Sequence, residues 1–228
     1  MRSTLLATAL VASFLSPATA LAADYDAYVS APAYDWSGAY AGVQFGYGRG
    51  SDDTDVIETT TGIAIGPFGY DTTGFVGGVH IGTNVQAGAV VYGAEADFEY
   101  ANIDGAFDIG GGDSVTKRIN WAGSVRGRAG VAQGRFLGYA TAGLAFASVE
   151  MDALEAGASV FSGSQSTLGW TAGVGAEYAL GNDWRVRSEY RYTDYGETSI
   201  IGPFAGINAE TSHTNRVHAV RLGFSRSF

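Results

Sequence analysis

Tyr92-Gly93-Ala94-Glu95-Ala96-Asp97-Phe98-Glu99-Tyr100 sets an acid at every second position from 95 to 99 and an apolar or aromatic residue between them. Successive side chains of a strand point to opposite faces, so this stretch has one charged face and one apolar face. Carboxylates at the centre of a strand need water or a charged partner. The stretch therefore belongs to a sheet with a polar medium on one side and an apolar one on the other.

The same period of two recurs on both sides of it. Ala41, Val43, Phe45 and Tyr47 alternate with Gln44 and glycines; Phe75, Val79, Ile81 and Val85 alternate with Gly78, His80, Gly82 and Asn84. Trp121, Val125 and Ala129 oppose Ser124, Arg126 and Arg128, and Ala140, Ala142, Leu144 and Phe146 oppose Tyr139 and Thr141. Trp170, Val174 and Tyr178 oppose Glu177; Val186, Tyr190 and Tyr192 oppose Arg187, Glu189 and Arg191. The run to Phe228 sets Val220, Leu222 and Phe224 against Arg221. This pattern predicts eight strands of roughly nine to thirteen residues. Short turns near Gly88, Gly134 and Asn182-Asp183 alternate with long polar stretches at 49–74, 101–116, 148–166 and 195–214, which read as loops.

A secreted β-sandwich also alternates, but it has little reason to alternate its connections between short and long. An outer-membrane barrel does, with short turns on the periplasmic side and longer loops outside. Strands of about 9–11 residues at a steep tilt match the membrane's apolar thickness. Lipid also accepts a closed sheet and rejects an open one. The expected fold is all-β: an eight-stranded antiparallel up-and-down transmembrane barrel with four longer extracellular loops. Trp36, Trp121, Trp170, Trp184 and Phe228 are expected in two aromatic girdles at the lipid interfaces.

The bulk composition agrees. Arg2, the apolar run Leu5 to Leu15, Pro17 and Ala20-Leu21-Ala22 read as a secretory signal peptide over 1–22. A periplasmic segment at 23–38 and the barrel domain at 39–228 follow. The rest of the chain offers no apolar run long enough for a membrane-spanning helix. The 228 residues contain no cysteine, which excludes disulfides and thiolate metal sites. A formal charge of −10 argues against nucleic acid, which needs clustered basic charge.

An eight-stranded barrel is just wide enough for side chains to fill it. Glu95, Asp97, Glu99, Glu177 and Glu189 should point inward with Arg126, Arg128, Arg187, Arg191 and Arg221. Buried charges are tolerable when paired, so a structural network is expected in the lumen, with the acid trio facing Arg126 and Arg128. That filling argues against a wide pore. His80 should face inward, His218 outward, and His213 falls in the last predicted loop. His218 with Ser212 or Thr214 would make at most a dyad, and no third group stands near it in the pattern. The glycines at 46, 48 and 50 match a phosphate loop in composition alone, since no helix follows them. No catalytic group, metal site or cofactor is expected. The loops hold Asp52, Asp53, Asp55, Glu58, Asp104, Asp108 and Asp113, and a host or small-molecule ligand would meet the protein there.

Several segments carry a resemblance, in order, over essentially the whole chain after the predicted leader. They are Trp36-Ser37-Gly38-Ala39-Tyr40-Ala41-Gly42, Gly77-Gly78-Val79-His80-Ile81-Gly82, and Tyr92 to Phe98. Val125-Arg126-Gly127-Arg128-Ala129-Gly130, Gly169 to Tyr178 and Val220-Arg221-Leu222-Gly223-Phe224 complete the set. Together they resemble the small outer-membrane β-barrel surface antigens of alphaproteobacteria, often labelled "porin family" proteins. The resemblance implies insertion by the outer-membrane barrel assembly machinery, which reads the closing aromatic strand at Val220, Leu222, Phe224 and Phe228. It also implies a non-catalytic role in envelope integrity and as a surface antigen; outer-membrane lipid and lipopolysaccharide are the expected surroundings, and the acid-rich loops are read as solvated, the alternative being a bridge to lipopolysaccharide through divalent cations. Some relatives bind hemin; here His213, with Tyr70 and Tyr195, would be the residues available. A narrow pore or hemin-binding protein is the alternative, followed by a lipid A-modifying enzyme.

Overall fold

The computed structural model describes residues 34–110, 113–155, 158–204 and 207–228. Within these, residues 52–56, 65–71, 104–110, 113–118, 149–155, 158–165, 197–204 and 207–215 are described by their backbone alone. The predicted leader and most of the 23–38 segment lie outside the described residues.

Eight strands follow one another in the chain: β1 (Gly38–Glu58), β2 (Ala64–Ala87), β3 (Val90–Gly110), β4 (Asp113–Gln133), β5 (Phe136–Glu155), β6 (Ala158–Gly181), β7 (Trp184–Phe204) and β8 (Ile207–Ser227). Each pairs antiparallel with the next, and β8 returns to β1, so the sheet is a closed barrel. The seam runs from Tyr40 opposite Ser227 to Glu58 opposite Ala209. At its inner end the Phe228 N–H donates to the Ala39 carbonyl at 3.0 Å.

The inner turns are tight for a local reason. Asn182 and Asp183 both take positive φ, 50° and 66°. That pair of left-handed residues defines the hairpin turn whose twist matches two antiparallel strands, and Asn and Asp tolerate it better than most. Gly88 (φ 64°) and Gly134 (φ 59°) take the same conformation in the other two inner turns.

The outer ends depart from expectation. The polar stretches read as loops continue the strands, and each strand is 20–24 residues long. At about 3.3 Å per residue and a tilt near 40°, a 21-residue strand rises on the order of 50 Å. The apolar band of a membrane barrel is about 25 Å tall. The strands therefore project beyond the membrane as hairpins. Period-two patterning reveals a strand where its two faces meet different media. Past the apolar band that contrast fades, and the composition resembles a loop even while the backbone stays paired.

On the outward face, Tyr47, Phe75, Tyr100, Trp121, Phe146, Trp170 and Tyr192 form an upper ring of aromatics, as the register aligns them. Tyr92, Phe136, Tyr178, Trp184, Phe224 and Phe228 form the lower ring, and Val43, Val79, Val125, Leu144, Val174 and Leu222 fill the band between them. These are exposed large apolar groups on every strand, and an apolar medium is what such a belt requires.

Candidate functional site

The inward positions stack into three levels. At the inner end Trp36 is fully buried, 0% exposed, and packs with Val91, Leu137, Tyr139 and Ala179. Its backbone N–H donates to Gln86 Oε1 at 2.8 Å and its indole N–H to the Gly134 carbonyl at 3.4 Å. Tyr34 meets the ring edge-on at 4.9 Å. Trp36 is thus a stopper in the mouth of the barrel, which corrects its expected place in a lipid-facing girdle. Trp121, Trp170, Trp184 and Phe228 do lie on the outward face. Beside the stopper, Asp35 accepts the Ser37 N–H at 2.9 Å, and that bond with the Ser37 hydroxyl holds its carboxyl below the usual range.

The middle level is a belt of charge. Arg126 donates through Nη2 to Glu95 at 2.6 Å and Asp97 at 3.1 Å, and through Nη1 to Glu189 at 2.8 Å and Thr141 at 2.9 Å. Arg187 reaches the other Glu95 oxygen at 2.6 Å and also donates to Gln44. Arg128 binds Glu177 at 2.7 Å and the Tyr40 hydroxyl at 2.6 Å, and that hydroxyl donates on to Glu95 at 2.7 Å. Arg191 joins Glu189 at 2.8 Å to Asp97 at 3.2 Å. Ser124 and Tyr139 add hydroxyl donors to Asp97 and Glu189 at 2.6 and 3.0 Å.

Glu99 does not face Arg126 and Arg128 as its neighbouring strand suggested. It is gripped from across the lumen by Arg221, with Nε and Nη2 each 2.9 Å from one carboxylate oxygen. Gln44 donates to it as well, at 2.7 Å. The reason is geometric. Glu99 stands opposite Ala122 on β4, above the level of Arg126, which stands opposite Glu95. In a narrow barrel the far wall is then nearer than a diagonal neighbour.

Inward glycines make room for the belt. A Cβ on Gly223 would lie 2.7 Å from Arg187 Nε, and one on Gly175 would lie 2.6 Å from the Tyr139 hydroxyl. Sequence reasoning missed Arg185, which is buried with its guanidinium 4.6 Å from the Tyr40 ring and 5.4 Å from the Trp36 ring. Its parity with Arg187 and Glu189 was the available signal. With it the belt holds, among the described side chains, six buried arginines against five buried acids, a formal +1. His80 is buried, as its inward parity predicts.

The upper level is apolar again. Val76, Ala101, Ile103, Ile119, Ala145 and Val217 pack with Tyr195 above the charges. Tyr195 was expected as an exposed companion to a hemin-binding His213; it is buried in this cap and is not available there. The side chains of His213 and Tyr70, and those of the loop acids apart from Glu58, lie outside the described residues. His218 faces outward, with Nδ1 2.7 Å from the Tyr190 hydroxyl.

A chain whose strands close on themselves, apolar outside and charged within, is an outer-membrane barrel in architecture. The model of the family described as "Outer membrane protein beta-barrel domain" matches residues 6–228. The chain belongs to that family. It is 32% identical over 252 residues to the 31 kDa outer-membrane immunogenic protein of Brucella melitensis biotype 1, covering all of both chains. To the 22 kDa outer membrane protein of Rhizobium leguminosarum bv. viciae it is 38% identical over 166 residues, covering 72% of this chain and 66% of that one. Its fold is also that of the outer membrane protein OprG from Pseudomonas aeruginosa: TM-score 0.52, 12% identity, over 85% of this chain and 98% of that one. This member of the outer-membrane barrel family is accordingly an outer-membrane protein of a Gram-negative bacterium.

Proposed function

We propose that this protein is a non-catalytic structural barrel that supports envelope integrity and presents its outer hairpins as surface antigen. The observation that carries this reading is the filled lumen: paired charges packed between an apolar stopper below and an apolar cap above. A transport path needs weakly held groups along an open axis, whereas here the acids are engaged by arginines at hydrogen-bond distance. The relatives named immunogenic proteins support the antigen half, since projecting hairpins are what an antibody would reach. Lipopolysaccharide and outer-membrane lipid are its surroundings on this reading. The barrel assembly machinery is its delivery partner, reading the outward-facing Val220, Leu222 and Phe224 of β8 and the Phe228 that follows it.

A deletion strain challenged with bile salts tests the envelope role. Reduced survival, restored by the gene, is expected; unchanged survival would overturn it. Planar bilayers should record no discrete openings from the refolded protein, and regular openings would favour the pore. Lipid A from the deletion strain should keep its mass profile, and an altered profile would point to an enzyme. A hemin pull-down should retain nothing that His213→Ala abolishes.

A further inference from the structure

The pairings that close the barrel do not all run to the outer ends of the strands. Among the described residues, β1 and β2 stay paired to Ile57 opposite Ala64, β8 and β1 to Glu58 opposite Ala209, and β7 and β8 to Phe204 opposite Ile207. On the other side β3 and β4 stay paired to Gly110 opposite Asp113, β4 and β5 to Ser114 opposite Leu154, and β5 and β6 to Glu155 opposite Ala158. By contrast β2 and β3 part beyond Thr73 opposite Asp104, and β6 and β7 part beyond Trp170 opposite Asp194. Above the upper aromatic ring the barrel is therefore two sheets, β7–β8–β1–β2 and β3–β4–β5–β6. The Thr167 hydroxyl, donating to the Tyr195 carbonyl at 3.0 Å, closes the foot of the gap between β6 and β7.

This parting leaves strand edges in water at 64–72 on β2, 105–110 on β3, 158–169 on β6 and 195–204 on β7. An open edge offers its backbone N–H and C=O groups to any passing strand, and proteins blunt such edges with charge, proline and bulges. Pro67 and Asp71 lie on the β2 edge. Asp108 lies on the β3 edge at a register shift between Asp108 and Gly110. Glu197 and Pro203 lie on the β7 edge, which follows a shift between Asp194 and Glu197. The β6 edge, from Ala158 to Gly169, has neither a charged residue nor a proline. Its register against β5 is unbroken from Phe161 to Gly169, so its free side is regular as well.

The complement of a strand edge is another extended backbone, and geometry narrows which one. Barrel strands tilt near 40°, so two upright copies meeting edge to edge in one membrane would cross their β6 strands at about 80°. Paired strands differ in direction by about 20–25°, so no ladder forms between such copies. The partner strand therefore comes from a chain not fixed in the same membrane. Acids on the other three edges, in a chain of formal charge −10, disfavour an acidic segment there.

We propose that the outer half of β6 is a strand-addition site for an extended segment of a soluble polypeptide, free of acidic residues and proline. The segment runs antiparallel to β6, and its backbone supplies the ladder that β7 provides lower down. The site requires the hairpins to stand outside the membrane and does not require the envelope role. A strain with no bile-salt phenotype therefore leaves it intact.

The test titrates the full refolded chain, in detergent micelles, with a labelled peptide of alternating threonine and valine flanked by lysines. A second peptide carries proline in place of each valine. Fluorescence anisotropy should show binding of the first and at least about tenfold weaker binding of the second; equal binding would overturn the ladder. Hydrogen exchange should show new protection within 158–169, and protection only elsewhere would overturn the location. Consecutive strand amides face opposite sides, so one of Ser164→Pro and Gln165→Pro removes a donor from the free edge. That variant should bind about tenfold more weakly while keeping heat-modifiable mobility on a gel, and undiminished binding by both would overturn the site. Native mass spectrometry should show one peptide on one barrel. Barrels that pair with each other without peptide, and cease to in that variant, would give the edge to a second copy and overturn the assignment.

Discussion

Trp36 and Trp184 stand at the same rim of the barrel, yet one is 0% exposed and the other 38% exposed. Trp184 keeps the parity of Val186 and Tyr190 and faces lipid, stacked on Phe224 at 4.5 Å. Trp36 keeps the parity of Tyr40 and Gln44, which face the lumen, although it lies outside any strand. An aromatic at a barrel's rim is therefore read by its phase with the nearest strand, not by its level alone. The same contrast holds for the whole molecule. Alternate residues of one strand belong to two solvents, a low-dielectric medium without charges and a narrow interior where arginines share carboxylates.

Substitutions on each face should break different things, and urea unfolding from lipid vesicles can rank them. Arg126→Ala should cost most, about 3–5 kcal/mol, because it leaves Glu95, Asp97 and Glu189 short of a shared cation inside the barrel. Trp36→Ala should follow at about 3–4 kcal/mol, from a cavity opened in the lower cap. Val174→Arg puts a charge on the lipid face and should cost about 2–4 kcal/mol. Trp184→Ala should lose about 1 kcal/mol, chiefly its stacking on Phe224. If Trp184→Ala cost as much as Trp36→Ala, the distinction between the two tryptophans would fall. A harmless Arg126→Ala would show that the belt is hydrated and weakly coupled.

Much of this was legible in the sequence. Glu95, Asp97, Arg126 and Glu189 announced a charged interior by parity, and the apolar residues between them announced lipid. Arg185 and Trp36 were legible by the same parity but sit at or just before a strand's first residues, where its end is hard to place. The pairing of Glu99 with Arg221 was not legible, because it crosses the lumen between β3 and β8 and depends on how the levels of two non-adjacent strands align. The long outer hairpins were hidden for another reason: with water beyond the apolar band, their composition loses the alternation that marks a strand. The pairing of Arg49 with His218 was hidden likewise, since the two lie far apart in the chain and become register partners only when the barrel closes.

That closure has a kinetic consequence. Seven of the eight strand pairings join sequence neighbours and can form as simple hairpins, while the eighth joins β1 to β8 across nearly the whole barrel. Contacts of such sequence separation are slow to form, because the entropy of gathering the chain is lost before the pairing gives anything back. Until that last zipper of backbone hydrogen bonds is made, two strand edges remain unpaired, and hydrocarbon offers them no partner. In bare lipid the molecule should accordingly have no stable half-inserted form. It enters the bilayer as a cylinder or stays outside it.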